Sequence, residues 1–599
     1  MRVRSGLFAF ILLAWAWIAP PAFAAASCSL KQIAQIPVTM AGLRPLVSVK
    51  IDGHDAKLVA DTGSFFSMLS PGSAARFGLK NEPPPLGVQV TGIGGDADAG
   101  FTTAKDFEIV GATFHDADFF VGEHGFDADG LLGANFLTIA DVEFDFANGV
   151  IRFFREEHCA GASLAYWQPA GGAVGEMEIT RLSAASPGER EQNRIMGSAT
   201  LNGAHIRLQF DTGSPRSVLT LSAARRAGVT TTGPGVTDAG MISGIGRRLV
   251  RSWIAPFQSF DIGGEQVKTT HLRVADMPLE DVDMLVGADF FLSHRIFVSR
   301  TQSKLFFTYN GGPVFDLGVA VPGSAQIAAA APPAAIASSE PTNDQPVDAA
   351  GFARRGEGFL ARHLYEQAIA DFTQAIQLEP NDAQHYFQRA TARVENRQIF
   401  MAMDDLNQAL KLKPDSAPAL MLRGELRLVA KDPAAARTDF SAALAIDPGV
   451  QLGVANAFNR AGLFDDALTG YDAWIAAHPK AGEDLAQPLA GRCRARAFLN
   501  RDLDKAVADC DRALKLAPGN PSALDSRALA ELRLGQPDKA IADLDQVLKV
   551  EPRDAWALFG RGLAKMRKGD KAGADADIAA ATALQPSLPQ QAKNVGLTS

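Results

Sequence analysis

The chain has 599 residues, enough for roughly four domains at about 150 residues each, and its 58 Lys and Arg against 67 Asp and Glu give a net charge of −9. Hydrophobic residues at 47% and charged residues at 21% lie near globular averages, which excludes a mainly disordered or collagen-like chain. The acidic balance supplies no basic footprint for phosphates and so argues against a nucleic-acid partner. A single long apolar run excludes a polytopic membrane protein.

That run opens the chain. Met1-Arg2-Val3-Arg4 is followed by the apolar stretch Leu7 to Ala19, then by Pro20-Pro21 and Ala22-Phe23-Ala24. Positive start, apolar core and A-x-A site predict a secretory signal peptide over residues 1–24. Export, with a bacterial periplasm as the expected compartment, permits disulfides. No integral membrane segment is expected once the signal is cleaved. The four cysteines, Cys28, Cys159, Cys493 and Cys510, read either as buried thiols or as two disulfides, Cys28–Cys159 and Cys493–Cys510. None has metal-ligand spacing, so no metal is expected.

The next segment is duplicated. Asp61-Thr62-Gly63-Ser64 recurs 150 residues later as Asp211-Thr212-Gly213-Ser214. Each copy follows a strand-like stretch (Ala56–Ala60, Ile206–Phe210) and precedes a short helix-like run (Ser73–Leu79, Ser222–Gly228) that a glycine ends. Gly92-Ile93-Gly94 recurs as Gly244-Ile245-Gly246, and Leu131-Leu132-Gly133 as Leu285-Val286-Gly287. Four markers in one order indicate an internal repeat. Val142–Phe146, Asn148-Gly149 and Val150–Phe153 read as a β-hairpin, with Ile296–Val298 and Lys304–Phe307 as its counterpart. Two all-β lobes are predicted, at 30–160 and 170–313, each with one short helix near its end.

Paired D-T-G-S loops, paired G-I-G segments and paired apolar-apolar-Gly loops resemble the pepsin/retropepsin superfamily of aspartic proteases. Each lobe is similar to the single-lobe retropepsin-like form, here in tandem over residues 35–312. Two close carboxylates cannot both ionise cheaply, so they share a proton. The ionised member activates a water and the protonated one donates to the carbonyl. Asp61 and Asp211 are the predicted catalytic pair. The resemblance implies that Thr62 and Thr212 lock the loops together and that Gly92–Gly95 and Gly244–Gly246 form flaps. It also implies that the apolar-apolar-Gly loops pack behind the catalytic loops. Gly63 and Gly213 are expected to permit tight turns, and Ser64 and Ser214 to donate to the outer carboxylate oxygens.

The sequence departs from the family at several positions. Neither flap carries a Tyr, Ala134 and Ala288 stand where a charged or polar residue is usual, Asn135 aligns with Asp289, and Pro215-Arg216 replaces Phe65-Phe66. Asp127-Ala128-Asp129-Gly130 resembles the start of a calcium loop but lacks the later Glu. Gly92–Gly95 lacks dinucleotide-loop spacing, and no cofactor is expected.

Residues 314–348 are Ala/Pro/Ser-rich and read as a linker. Beyond it, Pro380, Pro414 and Pro448 are 34 apart, as are Pro518, Pro552 and Pro586, with Pro479 irregular between them. Twelve residues before these prolines stand Ala368, Ala402, Ala436, Ala467, Ala506, Ala540 and Ala574; eight before them, mostly large apolar residues. This spacing resembles about seven tetratricopeptide repeats over 349–588, an all-α solenoid, followed by a tail at 589–599. Cys493 and Cys510 fall at inward positions of one repeat. Such an array has a concave face suited to a protein partner.

The reading is therefore an exported aspartic endopeptidase that takes a peptide or protein substrate between its lobes, with repeats recruiting a partner. The alternative is an inactive peptide-binding scaffold, in which each D-T-G-S is only an Asx-type turn.

Overall fold

The computed structural model describes residues 28–84, 90–92, 95–97, 99–122, 128–169, 172–179, 194–242, 250–277, 279, 281–317, 346–479 and 482–597. The signal segment 1–24, most of the 314–348 linker, and Ile93, Gly94 and Gly244–Gly246 of the flap segments lie outside these residues.

The first lobe is a seven-stranded sheet in the order Thr39–Ala41, Arg44–Ile51, His54–Ala60, Gly130–Leu132, Met68–Leu69, Ala112–Val121, Gly100–Ile109. It closes on itself where Lys50 and Ile51 pair with Glu108 and Phe107. Closure removes the exposed edges of an open sheet. The second lobe repeats the plan over Ile195–Leu201, Ala204–Phe210, Met284–Val286, Val218–Thr220, Glu265–Ala275, Val250–Ile262 and Thr237–Ile242. It closes where Ala199–Leu201 pairs with Phe260–Ile262.

Two details of the sequence reading need correction. Each lobe carries two short helices rather than one: Pro71–Arg76 and Ala134–Leu137, then Leu221–Arg226 and Ala288–Ser293. The first of each pair is capped by a hydroxyl, Ser70 or Thr220, and followed by a left-handed glycine, Gly78 or Gly228, as helix termini favour. The second of each pair is only four to six residues long, too short for helical periodicity to show.

The hairpins, moreover, do not belong to separate lobes. Ser29–Pro37, Val150–Glu157, Asp141–Asp145, His294–Ser299, Lys304–Tyr309 and Gly175–Glu178 form one six-stranded sheet across both. Val142 and Phe144 pair with Val298 and Ile296 at its centre, and all four side chains are buried. Burying these apolar edges against each other joins the lobes into one body. Glu143, fully buried in this sheet, is held by Arg152, Arg295 and the Tyr166 hydroxyl, which supplies the pairing that a buried charge requires.

The C-terminal half is seven helix pairs, from Ala349–Ala361 with Tyr365–Leu378 to Ala555–Arg567 with Lys571–Leu584. Ala368, Ala402, Ala436, Ala467, Ala506, Ala540 and Ala574 are all fully buried where helices cross. Phe372, Leu406, Phe440, Tyr471 and Cys510 fill the intervening space. A Cβ on Gly424 would lie 2.5 Å from the Phe440 ring, so glycine is what lets that ring enter. The tail assigned to 589–599 instead begins within a further helix, Leu588–Asn594, whose Leu588 and Ala592 are buried and cover the last repeat as a solenoid end requires.

An Arg–Asp pair recurs in six of the seven repeats. Arg355 holds Asp371, Arg389 Asp405, Arg423 Asp439, Arg492 Asp509, Arg527 Asp543 and Arg561 Asp577, each through two nitrogens. The fourth repeat substitutes a Tyr471 hydroxyl donating to Asn456. Disulfides join Cys28 to Cys159 and Cys493 to Cys510, with Cα separations of 4.4 and 5.6 Å.

Candidate active site

Both D-T-G-S loops leave the C-terminal end of a strand and enter the space between the lobes. In each, the strand carrying the apolar-apolar-Gly motif lies parallel beside the loop's own strand. The Asp61 amide donates to Leu132 O and the Asp211 amide to Val286 O, both at 2.9 Å. The following residues reciprocate: Ala134 N donates to Ser64 O and Ala288 N to Ser214 O, both at 2.8 Å. These two loops therefore form the backing of the catalytic loops. A Cβ on Gly133 or Gly287 would come within 2.5 Å of the Phe66 or Arg216 backbone, which explains the glycine.

The threonines cross the pseudo-symmetry axis. The Thr62 hydroxyl donates to Phe210 O at 2.8 Å and accepts from Thr212 N at 3.1 Å. The Thr212 hydroxyl donates to Ala60 O at 2.7 Å and accepts from Thr62 N at 3.0 Å. Both residues are fully buried, so each loop is held by the other lobe.

This lock brings Asp61 and Asp211 into hydrogen-bond contact with each other. Gly63 and Gly213 donate their amides to the Oδ1 of their own aspartate at 2.9 and 3.0 Å, and Ser64 and Ser214 do the same at 3.1 and 3.0 Å. Burial pushes the Asp61 carboxyl well above its ordinary range, and the neighbouring Asp211 charge pushes it further. Burial also raises Asp211, against the pull of its amide donors and of Arg194. The pair titrates as a unit, and Arg194 favours the ionised form on the Asp211 side.

Two roles expected from sequence differ here. The Ser64 and Ser214 hydroxyls donate to Phe66 O and Arg216 O at 2.8 and 2.9 Å, not to the carboxylates. Their backbone amides already fill the position beside the aspartate, so the hydroxyl turns back to fix the loop. Gly63 and Gly213 are not in the left-handed region. A Cβ on Gly63 would sit 2.3 Å from Cγ of Asp211, and one on Gly213 would sit 2.2 Å from Cγ of Asp61. Glycine is needed for the approach of the opposite carboxylate rather than for the turn.

Gly92 ends the strand Val90–Gly92, which pairs with Gly95–Ala97 as a two-stranded ribbon. Its counterpart is Thr237–Ile242 paired with Val250–Ile254, whose connecting residues 243–249 lie outside the described set.

Sequence reading missed several residues. Arg194 stacks over the Phe65 ring, its Cζ 4.5 Å from the centroid, and its buried Nε has no hydrogen-bond partner. Its twin in the first lobe is Arg44, which stands 17 residues before Asp61 as Arg194 stands 17 before Asp211, a match the sequence reading passed over. Asp129, part of the calcium-like run, holds the Ser73 hydroxyl at 3.0 Å, Lys57 N at 2.8 Å and Arg76. Asp283 repeats this role with Arg207 and Arg226. Both fall two residues before the apolar-apolar-Gly motif, a fifth marker of the duplication. Asp289 and Asn135 differ in charge but both meet the serine after the catalytic loop, Ser217 or Ser67. Burial pushes Asp289 up to about 6, against donors from Ser217, Asp316 and Phe290.

A match to the family described as aspartyl protease covers residues 47–136 and 197–290, the two lobes in turn. Matches to the tetratricopeptide repeat cover 387–450 and 493–559. The N-terminal half carries a two-segment aspartyl protease domain and the C-terminal half tetratricopeptide repeats. No curated protein matches the chain. Among solved structures, the APC/C hetero-tetramer Cut9–Hcn1 is 16% identical over 36% of this chain, with a TM-score of 0.31. The match spans 42% of that structure's length. A tetratricopeptide repeat protein from Parabacteroides merdae is 18% identical over 41% of this chain and 87% of its own, with a TM-score of 0.29. The C-terminal part of a repeat protein from Cytophaga hutchinsonii is 18% identical over 40% and 98%, with a TM-score of 0.31. Among the described residues, no helix is long and apolar enough to cross a membrane.

Proposed function

We propose that the chain is an exported aspartic endopeptidase, whose lobes hold an extended peptide between them and whose repeats recruit the protein that supplies it. The observation that carries this reading is the approach of Asp61 and Asp211, buried, amide-supported and held by crossed threonines. Burial together with a like charge keeps one proton on the pair at pH values where an exposed aspartate has lost its own. Arg194 biases the ionised form to Asp211, which takes a proton from water. Asp61 then donates to the scissile carbonyl, and the water oxygen attacks its carbon. The C–N bond of the tetrahedral diol then breaks as the proton gained by Asp211 passes to the leaving amine and a hydroxyl proton returns to Asp61. In this reading the ribbons ending at Gly92 and Ile242 serve as flaps over the substrate.

The test is cleavage of a diverse peptide library by the mature protein from about pH 3 to about pH 8, beside Asp61→Asn and Asp211→Asn. Cleavage by the wild type alone is expected. Silence from the wild type, with peptides still bound, would replace the enzyme by a peptide-binding scaffold.

A further inference from the structure

A second cluster of chemistry-bearing side chains lies far along the chain from the aspartate pair, in the turn between helices Tyr365–Leu378 and Ala383–Glu395. Glu379 ends the first helix, Asp382 caps the second, and His385 lies in the second helix's first turn. His385 Nε2 is 3.5 Å from Glu379 Oε2 and 3.7 Å from Asp382 Oδ2. One donor atom from each residue falls within 4.8 Å of the other two.

The histidine is the unusual member. It is only 5% exposed, and its Nε2 is buried without a hydrogen-bond partner. Its other nitrogen fixes the tautomer. Nδ1 is 3.3 Å from Gln388 Oε1, while Gln388 Nε2 donates to the Glu357 carboxylate at 2.5 Å. With Glu357 ionised, the glutamine presents its NH2 to that carboxylate, its oxygen faces the imidazole, and Nδ1 carries a proton. Nε2 faces two carboxylate oxygens, and when the ring is neutral that nitrogen is the one with a lone pair for a cation. Three donors thus converge on one point.

Asp382 is divided in the same way. Its Oδ1 accepts the Gln384 amide at 2.8 Å as the helix cap, which leaves Oδ2 toward the histidine. The two spacings from the histidine suit one small cation. Metal–ligand distances of about 2.0–2.2 Å in a tetrahedral site imply donor–donor edges of about 3.4 Å, close to the 3.5 and 3.7 Å found.

We propose that Glu379, Asp382 and His385 form a binding site for a borderline transition-metal cation of the Zn²⁺ class. An imidazole ligand and only three protein donors fit such a cation, whereas Ca²⁺ takes six to eight oxygens. The Gln388–Glu357 relay is the outer shell that orients the imidazole, as metal-bound histidines require. Glu379 and Asp382 also line a cavity of about 650 Å³ that reaches Lys413 of the next turn, so a fourth coordination position opens on solvent. A water fills it, or a donor from a protein docked on the array. No Cys or paired His marks this site in the sequence: the ligands follow one another at intervals of three through a helix–helix turn. The relay also leads back to the lobes, because the Glu357 carboxyl lies beside the Met40 amide.

The full mature chain, stripped with a chelator and titrated with Zn²⁺ by calorimetry, is expected to bind one equivalent that Glu379→Gln and Asp382→Asn each weaken at least tenfold. Asp382→Asn keeps the capping oxygen and Glu379 is exposed, so both variants stay folded; circular dichroism verifies it. Asp61→Asn is expected to keep the equivalent, which separates this site from the aspartate pair. Co²⁺ in place of Zn²⁺ is expected to give visible ligand-field bands that the same two variants lose. No uptake, or uptake indifferent to the two variants together, would overturn the proposal. So would a His385 ring that titrates as an imidazolium ion pair and whose resonances Zn²⁺ leaves unmoved.

Discussion

Replacing Thr62 by valine keeps the shape of the side chain and removes one hydroxyl. That hydroxyl makes two buried bonds, both to the other lobe: it donates to Phe210 O and accepts from Thr212 N. Valine leaves a buried amide and a buried carbonyl each short of a partner. At about 1–3 kcal/mol for each such group, the expected cost is about 2–6 kcal/mol. Thr62→Ser keeps the hydroxyl and is expected to cost far less. Thr212→Val makes the mirror-image loss, and the double variant is expected to be non-additive, because the two hydroxyls bond the same pair of loops. Hydrogen exchange read by mass spectrometry on peptides spanning 56–64 and 206–214 reports local opening. Thr62→Val should speed exchange in 206–214, although that segment is 150 residues away and in the other lobe. An opening free energy within about 0.5 kcal/mol of wild type there would refute the crossed-threonine account.

Arg194→Gln removes the cation that favours ionised Asp211. The Asp211 carboxyl then rises, so the acid limb of the cleavage profile should move to higher pH; an unmoved limb would remove Arg194 from the pair. Gly213→Ala places a methyl on the Asp61 carboxylate and should cost on the order of a hundredfold in kcat, as misplacement by about 1 Å does, with circular dichroism unchanged. Arg527→Ala strips the buried Asp543 of its two-nitrogen partner and should cost about 3–5 kcal/mol in urea unfolding of the array, whereas Arg437→Ala, at an exposed pair, should fall below about 1 kcal/mol. Serine at Cys28 and Cys159, which close a separation of 131 residues, should cost more than serine at Cys493 and Cys510, which close 17, by about 1–2 kcal/mol in the loop-entropy account.

Much of this architecture was legible because it repeats. One D-T-G-S has little meaning, but a second at the same place among three other markers fixes two lobes, and registered prolines fix the helix pairs. The same logic reaches Asp129 and Asp283, and the Arg–Asp pairs, which recur every 34 or 35 residues on either side of the fourth repeat. What was not legible is whatever one copy alone carries. The Phe65 ring that Arg194 stacks on is Pro215 in the second lobe, and the charge of Asp289 is neutral Asn135 in the first lobe. The joint six-stranded sheet was hidden for another reason: a hairpin signal shows that strands pair locally, not which further edge covers them. The serine hydroxyls show a third limit. Their type suits donation to a carboxylate, but which acceptor they take depends on where the amide beside them already points.

The first helix of the array shows why these two halves act on each other. Gly358 lies against Ala147 so closely that a Cβ would be 2.8 Å from its carbonyl oxygen, and Gly149, with φ of +66°, meets the Arg354 side chain. Arg362 reaches Asn310 O at 3.2 Å, just past the strand Lys304–Tyr309. The helix therefore sits on the turn of the first hairpin and on the open end of the second, both in the common sheet. Asp316 extends this joint: its amide donates to Asp289 at 3.0 Å, and its carboxylate faces Arg216 at 3.4 Å and His363 at 3.9 Å. Arg216 O in turn holds the Ser214 hydroxyl of the catalytic loop. Charge and packing thus run from the first repeat to the loop that presents Asp211 through contacts of ordinary length. A linker of Ala, Pro and Ser could have left the repeats tethered at random, yet the helix that follows it is seated on the lobes. A protein held on the array is for that reason held at a set position relative to the aspartate pair, which a free tether could supply only as raised local concentration.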